Sequence, residues 1–406
     1  MSETEAAAGL LKLFAGMPHP QPRALLARLC LDPQAPLPDD CLANCLTAEA
    51  VGWLVGAAER TMLAGLFWAA LSRDQRQALP PAARQRLSSL HLGNALRWET
   101  HRRLIATYVP LLQEAGIPVA VLKGAPLVLV AYRDPAERTM ADLDLLVAEE
   151  HLVAAYALLS REPASVKRTV RAHRHLGAIR LPGEAGMVEL HGAAAHARSW
   201  PQTGDLLTAG QRVEVAGATV LCPGPVDLWL HVACHSLVHN PDCWPRMAAD
   251  LTRLQTRSEW DGATWTAVWE AAVVGRRRRA VLVAAAMAHG AQVPEELRSL
   301  GIPAAKLEDA EVRARLAWRA AWELPPGRWG PWPRLWSLDA PDQPAAIRRH
   351  ALPPLSVLTD ASGLPPPAAA AAYPGYALWR CYSLVSTGLA WRRALGRCRP
   401  PAEAAP

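Results

Sequence analysis

The chain has 406 residues, which at roughly 150 residues per domain predicts two or three packed units and excludes a single small module. Hydrophobic residues make up 51% and charged residues 20%, ordinary globular proportions that exclude wholesale disorder. Lysine and arginine outnumber aspartate and glutamate by 43 to 37, a net charge of +6 that permits phosphate-bearing partners without demanding a nucleic-acid groove. Only Lys12, Lys123, Lys167 and Lys306 among the basic residues are lysines, so a lysine here carries more information than an arginine.

The opening MSETEAAAGLLKLF is acidic and lacks the basic and apolar succession of a secretory signal, and no apolar run reaches about 18 uninterrupted residues. A cytoplasmic protein without a membrane span is expected. The eight cysteines form no CxxC pair, which predicts reduced, mostly buried thiols.

Residues 1–106 read as an N-terminal helical region, with apolar residues at three- and four-residue spacing; its last helix is expected to run on to Glu114 and stop at Gly116. A second unit, 107–222, changes character. IPVAVLKG is a β-branched run closed by glycine and suits a buried strand, APLVLVAY is helical, RDPAERTMA is a loop, and DLDLLV alternates as a strand. HLVAAYALLSR predicts another helix, and VKRTVRAHRHLGAIRL and GMVELHGA predict strands. Residues 223–396 read as a C-terminal helical domain, interrupted by a Pro/Trp-rich stretch from Pro325 to Pro374 expected to wrap the surface, and 397–406 as a disordered tail.

The chemistry gathers in the second unit. On a strand, Asp142 and Asp144 project from one face while Leu143 and Leu145 point into the core, and two carboxylates so placed can hold one or two divalent cations. Acidic pairs at this spacing also occur at Glu3/Glu5, Glu259/Asp261 and Asp309/Glu311, but only Asp142/Asp144 lies in an apolar strand, where unpaired carboxylates are costly. The competing reading is an edge strand with a solvated face. Upstream, Lys123 and Gly124 stand where a strand gives way to a helix, a place for a phosphate. Downstream, Glu189 completes a three-carboxylate cluster if its strand pairs with that of Asp144, which is the equipment of metal-assisted phosphoryl or nucleotidyl transfer. His191 shares the strand face of Glu189 and reads as a histidine standing behind the metal ligands.

These residues also carry a resemblance. IPVAVLKGAPLVLVAYRDPAERTMADLDLLV, followed by VELH and by LWLHVACHSLVHN and AADL, closely resembles the bacterial family of uncharacterised nucleotidyltransferases within the polymerase-β-like superfamily. The resemblance implies an α+β fold: a small mixed β-sheet nucleotidyltransferase core flanked by N-terminal helices and a larger C-terminal helical domain. It makes Asp142, Asp144 and Glu189 the metal ligands and catalytic carboxylates, Gly124 the glycine of the phosphate-binding turn with Lys123 beside it, and Arg138 the family's arginine before the acidic pair. It implies Mg²⁺ or Mn²⁺ as cofactor and an NTP such as ATP as substrate, its NMP passing to an acceptor hydroxyl. A small molecule or natural product is the first acceptor expected, and tRNA or a protein the second. The alternative is a degenerate fold that senses nucleotide or binds a protein partner. Two departures stand out: Ala125 follows Gly124 where the superfamily commonly has serine, and the gap to Asp142 is longer than in the minimal motif.

Other signals are weaker. His231, His235 and His239 recur every four residues, but eight helical residues span about 12 Å, too far for one ion, so a packed helix facing the catalytic cleft is expected. The run Arg276 to Arg279 reads as a solvated face, and Trp318, Trp322, Trp329, Trp332 and Trp336 as packing residues. The terminal amphipathic helix reads equally as a docked bundle helix or as a contact for a membrane surface or partner.

Overall fold

A computed structural model describes residues 11–32, 37, 47–160, 175–180, 186–193, 203–239, 243–322, 347–348, 351–352 and 365–398. Helices α1 (Pro20–Leu31), α2 (Ala48–Arg60), α3 (Ala64–Ala70), α4 (Arg73–Ala78) and α5 (Pro81–Glu114) precede the sheet. Strand β1 (Val119–Val121), helix α6 (Gly124–Val130), strand β2 (Leu143–Val147), helix α7 (Leu152–Ser160) and strands β3 (His175–Arg180) and β4 (Met187–His191) follow in order. Helix α8 (Thr203–Ala209) then leads to β5 (Gln211–Val215) and β6 (Ala218–Cys222). The chain ends in α9 (Pro225–His239), α10 (Trp244–Arg257), α11 (Gly262–Val274), α12 (Arg278–Ala288), α13 (Glu295–Arg298), α14 (Ala304–Ala320) and α15 (Pro366–Cys398).

Local chemistry sets several of these boundaries. The Thr47 side chain accepts from Ala50 N at the start of α2, and Ser72 with Gln75 forms a reciprocal capping box at α4. The single apolar run 46–71 is split into α2 and α3 at Met62, which takes a left-handed φ of 59° while Leu63 N donates back to Ala58 O. Helix α5 reaches Glu114 as predicted, and Gly116 takes up the chain reversal at φ 71°. Helix α15 begins at Pro366, inside the stretch expected to wrap the surface, because the alanine run after Pro366 and Pro367 is itself a strong helix former with proline at its permitted first turn. The expected surface wrap between Pro325 and Pro374 and the tail beyond 398 fall largely outside the described residues, as does the first half of the strand predicted over VKRTVRAHRHLGAIRL.

The six strands form one mixed sheet in the order β3-β4-β2-β1-β6-β5. β1 runs antiparallel to β2 and parallel to β6, while β2 and β4 are parallel. The β5–β6 hairpin went unpredicted, although its signal is present: QRVEV and ATVLC flank Ala216-Gly217, which turn the chain with φ of 50° and 85°. Among the described residues, one sheet face is apolar. Val121, Leu143, Leu145, Val188 and Leu190 pack there against Ile105 and Leu112 of α5 and Leu152 and Leu159 of α7. The other face carries a much smaller apolar cluster of Ala120, Leu122, Leu146 and Leu206, and this is the face that can accommodate charge.

The helices before and after the sheet share a single core. Leu26, Leu54 and Phe67 are buried in the same cluster as Trp229, Met247, Val281 and Trp318. Among the described residues, no helix is long and apolar enough to cross a membrane.

Candidate active site

Strand register builds the site. β2 and β4 pair with Asp144 opposite Glu189 and Leu146 opposite His191, so by alternation all four occupy the sparsely packed sheet face. The apolar neighbours Leu143, Leu145, Val188 and Leu190 hold the strands down from the opposite face. His191 Nε2 lies 2.7 Å from Asp144 Oδ1 and 3.6 Å from Glu189 Oε2. Among the described residues these three form the one group whose ligand atoms, all within 4.8 Å of one another, suit a shared metal ion. The sequence reading favoured His191 behind the ligands and also allowed it a role beside the metals; the parallel register sets its ring level with the two carboxylates. Asp142 precedes β2 and lines the adjoining cleft without joining this trio.

Lys123 enters from the turn between β1 and α6. Its backbone adopts φ 55° and ψ −107°, a region that side-chain-bearing residues seldom visit. The ammonium donates to Asp144 Oδ1 and stands 3.3 Å from His191 Nε2 and 3.9 Å from Glu189 Oε2. It therefore meets carboxylates and an imidazole. Next to it, Gly124 sits in close approach: a Cβ there would fall 2.7 Å from Arg138 Nη1 and 2.8 Å from Met140 Sδ, so those side chains would have to shift.

Arg138 is buried. Its Nε and Nη2 donate to Asp250 Oδ1 and Oδ2 at 2.9 and 3.0 Å, and Tyr132 OH donates to Asp250 Oδ1 at 2.7 Å. Only Nη1 is turned towards Gly124. Asp250 on α10 thus ties the loop before β2 to the C-terminal helices, and the same loop is held from the other side, where Asn94 Nδ2 donates to Ala136 O at 3.0 Å. A side chain at Gly65 would strike that carbonyl at 2.3 Å.

A cleft of about 240 Å³ opens between these elements. Lys123, Gly124, Asp142 and Asp144 line one wall, and His231, His235 and Arg246 line the opposite one. His231 and His235 stack with ring centroids 5.8 Å apart, so the predicted histidine helix does face the cleft; the side chain of His239 is outside the described set. Asp250 lies in the AADL segment that carries the family resemblance but was given no role by sequence reading, and Arg246 was missed altogether, since it sits in no motif that marks it. Of the remaining candidates, Arg279 pairs with Asp309 at 3.5 Å, and Trp318 and Trp322 are core residues. Trp329, Trp332 and Trp336 lie outside the described residues.

The protonation pattern follows from this crowding. Burial pushes the Asp142 carboxyl above its ordinary range, and repulsion from Asp144 and Glu189 adds to the shift. Burial opposes ionisation of Asp144 too, but the His191 hydrogen bond and the Lys123 charge outweigh it and hold Asp144 low. The His191 imidazole beside Glu189 is the main reason that Glu189 is also held low. For His191 itself, burial disfavours the charged ring, yet the two carboxylates prevail and raise its pKa. Among the described residues no cysteine is grouped with Asp144, Glu189 and His191, and burial pushes the Cys222 thiol up to about 12.

Two carboxylates and an imidazole lie close enough together, beside a cleft on the charge-tolerant face of a mixed sheet, that they could hold one metal ion. The sequence profile of the uncharacterised nucleotidyltransferase family matches residues 47–290, more than half of the chain and all of the residues that line the cleft, and the chain belongs to that family. No curated protein matches it.

Proposed function

We propose that the protein transfers a nucleoside monophosphate from an NTP to an acceptor hydroxyl on a small molecule, with release of pyrophosphate. The observation that carries this reading is the parallel β2–β4 register, which brings Asp144, Glu189 and His191 together at a cleft within the family-matched region. The donor set fits Mg²⁺ through its carboxylates and Mn²⁺ through its imidazole as well. A bound divalent cation supplies charge neutralisation at the phosphates and a Lewis acid for the leaving and attacking oxygens. Asp144, Glu189 and His191 hold it, with Asp142 at the cleft wall completing the acidic set. Lys123, Gly124 and the Nη1 of Arg138 face the phosphates, and the donors there are worth most where charge develops in the transition state. Of the expected roles, that of Arg138 is the most constrained, because two of its three nitrogens are committed to Asp250.

The acceptor is proposed to be small because the net charge of +6 over 406 residues is mild for a protein that binds RNA along its phosphates. The test is pyrophosphate release from each of four NTPs with Mg²⁺ or Mn²⁺ and a pooled small-molecule extract. Wild-type release dependent on the extract, and a loss of at least about a hundredfold in both Asp142→Asn and Asp144→Asn, are expected. Full release by Asp144→Asn overturns the assignment, whereas metal-dependent NTP binding without release points to a nucleotide sensor or a macromolecular acceptor.

A further inference from the structure

The Lys123 ammonium is placed against all three groups of the metal-binding trio at once. It is hydrogen-bonded to Asp144, 3.3 Å from His191 Nε2 and 3.9 Å from Glu189 Oε2, so an ion held by those atoms and the ammonium cannot both occupy the space. We propose that Lys123 is a built-in counter-cation which a divalent metal must displace, and that the displaced ammonium is received by the nucleotide's phosphates, so that metal and nucleotide load together. This rests on the metal-site reading given above.

Charge counting supports the exchange. Asp142, Asp144 and Glu189 place three carboxylates around one ammonium, and an unneutralised group of this kind is costly on a largely buried sheet face. Lys123 relieves part of that repulsion. A divalent cation among the same carboxylates relieves more of it and repels the ammonium at short range. The lysine has somewhere to go, because its side chain is 22% exposed and it lines the cleft together with Gly124, Arg138, His235 and Arg246. Of the acidic residues that also line the cleft, Asp250 is already paired with Arg138, and Asp142 and Asp144 belong to the group that the metal neutralises, so without an anionic ligand the expelled ammonium gains little there. Phosphates in the cleft change that balance. Metal alone must therefore bind weakly, nucleotide alone weakly, and the two together strongly, a coupling that is reciprocal by linkage. It also accounts for a lysine at this position in a chain that otherwise uses arginine almost throughout.

The experiment measures Mn²⁺ binding to the full-length protein by electron paramagnetic resonance of free Mn²⁺, with and without the non-hydrolysable probe α,β-methylene ATP. Wild type, Lys123→Met and Asp144→Asn are compared. Removing one opposing unit charge a few ångströms from the ion should tighten Mn²⁺ binding in Lys123→Met by about tenfold or more in the absence of nucleotide. The same variant should bind the probe more weakly and lose most of the coupling between probe and Mn²⁺. Should the methionine variant fail to fold, Lys123→Gly removes the ammonium while accepting the positive φ, and the same two shifts are expected of it. Unchanged or weaker Mn²⁺ binding in the Lys123 variants, with binding abolished in Asp144→Asn, overturns the counter-cation proposal and leaves the metal site standing. Mn²⁺ binding that ignores Asp144→Asn, or is absent from every form, overturns both.

Discussion

The Arg138–Asp250 pair and the Asp144–Glu189–His191 group reach the same cleft from different sides, and their charge balance differs. In the first, one guanidinium meets one carboxylate in a two-point contact, Tyr132 adds a third hydrogen bond, and the two side chains are 7% and 2% exposed. That set is neutral and closed. In the second, three carboxylates counting Asp142 crowd one lysine and one histidine, and Asp142 is kept from ionising easily by burial and by its neighbours. That set is short of positive charge. The difference separates two uses of buried charge: a pair that satisfies itself fixes how the sheet meets the helices, whereas a group that does not is prepared for a cation from outside.

The largest effect expected from breaking this contrast is on the closed pair. Asp250→Ala strands a buried guanidinium and should cost about 3–5 kcal/mol of stability in urea unfolding, whereas the paired replacement Arg138→Met/Asp250→Leu should recover much of it. Because the two residues join the loop before β2 to α10, the single variant should also loosen the cleft. If Asp250→Ala is as stable as wild type, the tie between sheet and helices is carried elsewhere.

Legibility in the sequence followed the same division. The alternation in DLDLLV and MVELH, the end of α5 at Gly116 and the helix over APLVLVAY are local patterns, and local patterns survive into the fold. The carboxylates Asp144 and Glu189 were legible as candidates for that reason, while the β2–β4 pairing that sets them side by side was only a condition of the sequence reading. Asp250 was not. It lies in the AADL segment that carries the resemblance, but 112 residues from Arg138, and only the tertiary fold brings the two together. Lys123 was legible as a residue of interest but not in its contacts, because its direction depends on a φ of 55° that no lysine propensity predicts. The shared core of the N-terminal and C-terminal helices was hidden similarly: periodicity says which face of a helix is buried, not what buries it.

A pH series sharpens the comparison at the next level. The Asp250 carboxyl is buried, yet the Arg138 charge and hydrogen bonds hold it below its ordinary value, and Arg138 stays protonated throughout. Its folded pKa is thus lower than the unfolded value of about 3.9, so the pair's contribution is complete above that pH and is lost as pH falls through the folded value. The stability gap between wild type and Asp250→Asn should be constant from neutral pH down to about 4 and shrink below it. A gap that narrows between pH 7 and 5 would mean that another group controls the pair.

The smallest effect has the opposite sign and comes from the open group. Asp142 carries a raised pKa because burial, Asp144 and Glu189 all disfavour its charge, so at neutral pH its ionisation opposes folding. Neutralising it in Asp142→Asn should leave stability unchanged or raise it, by no more than about 1 kcal/mol because the group still meets solvent. The same substitution is expected to remove turnover, so the site would give up stability for function, as unbalanced charge at active sites commonly does. Chemical denaturation in the absence of divalent ions, with 1 mM EDTA or about that, isolates the repulsion from any bound cation. A clear loss of stability there would show that Asp142 makes favourable contacts of its own, and the sheet cluster would then resemble the closed Arg138–Asp250 pair more than its charge count implies.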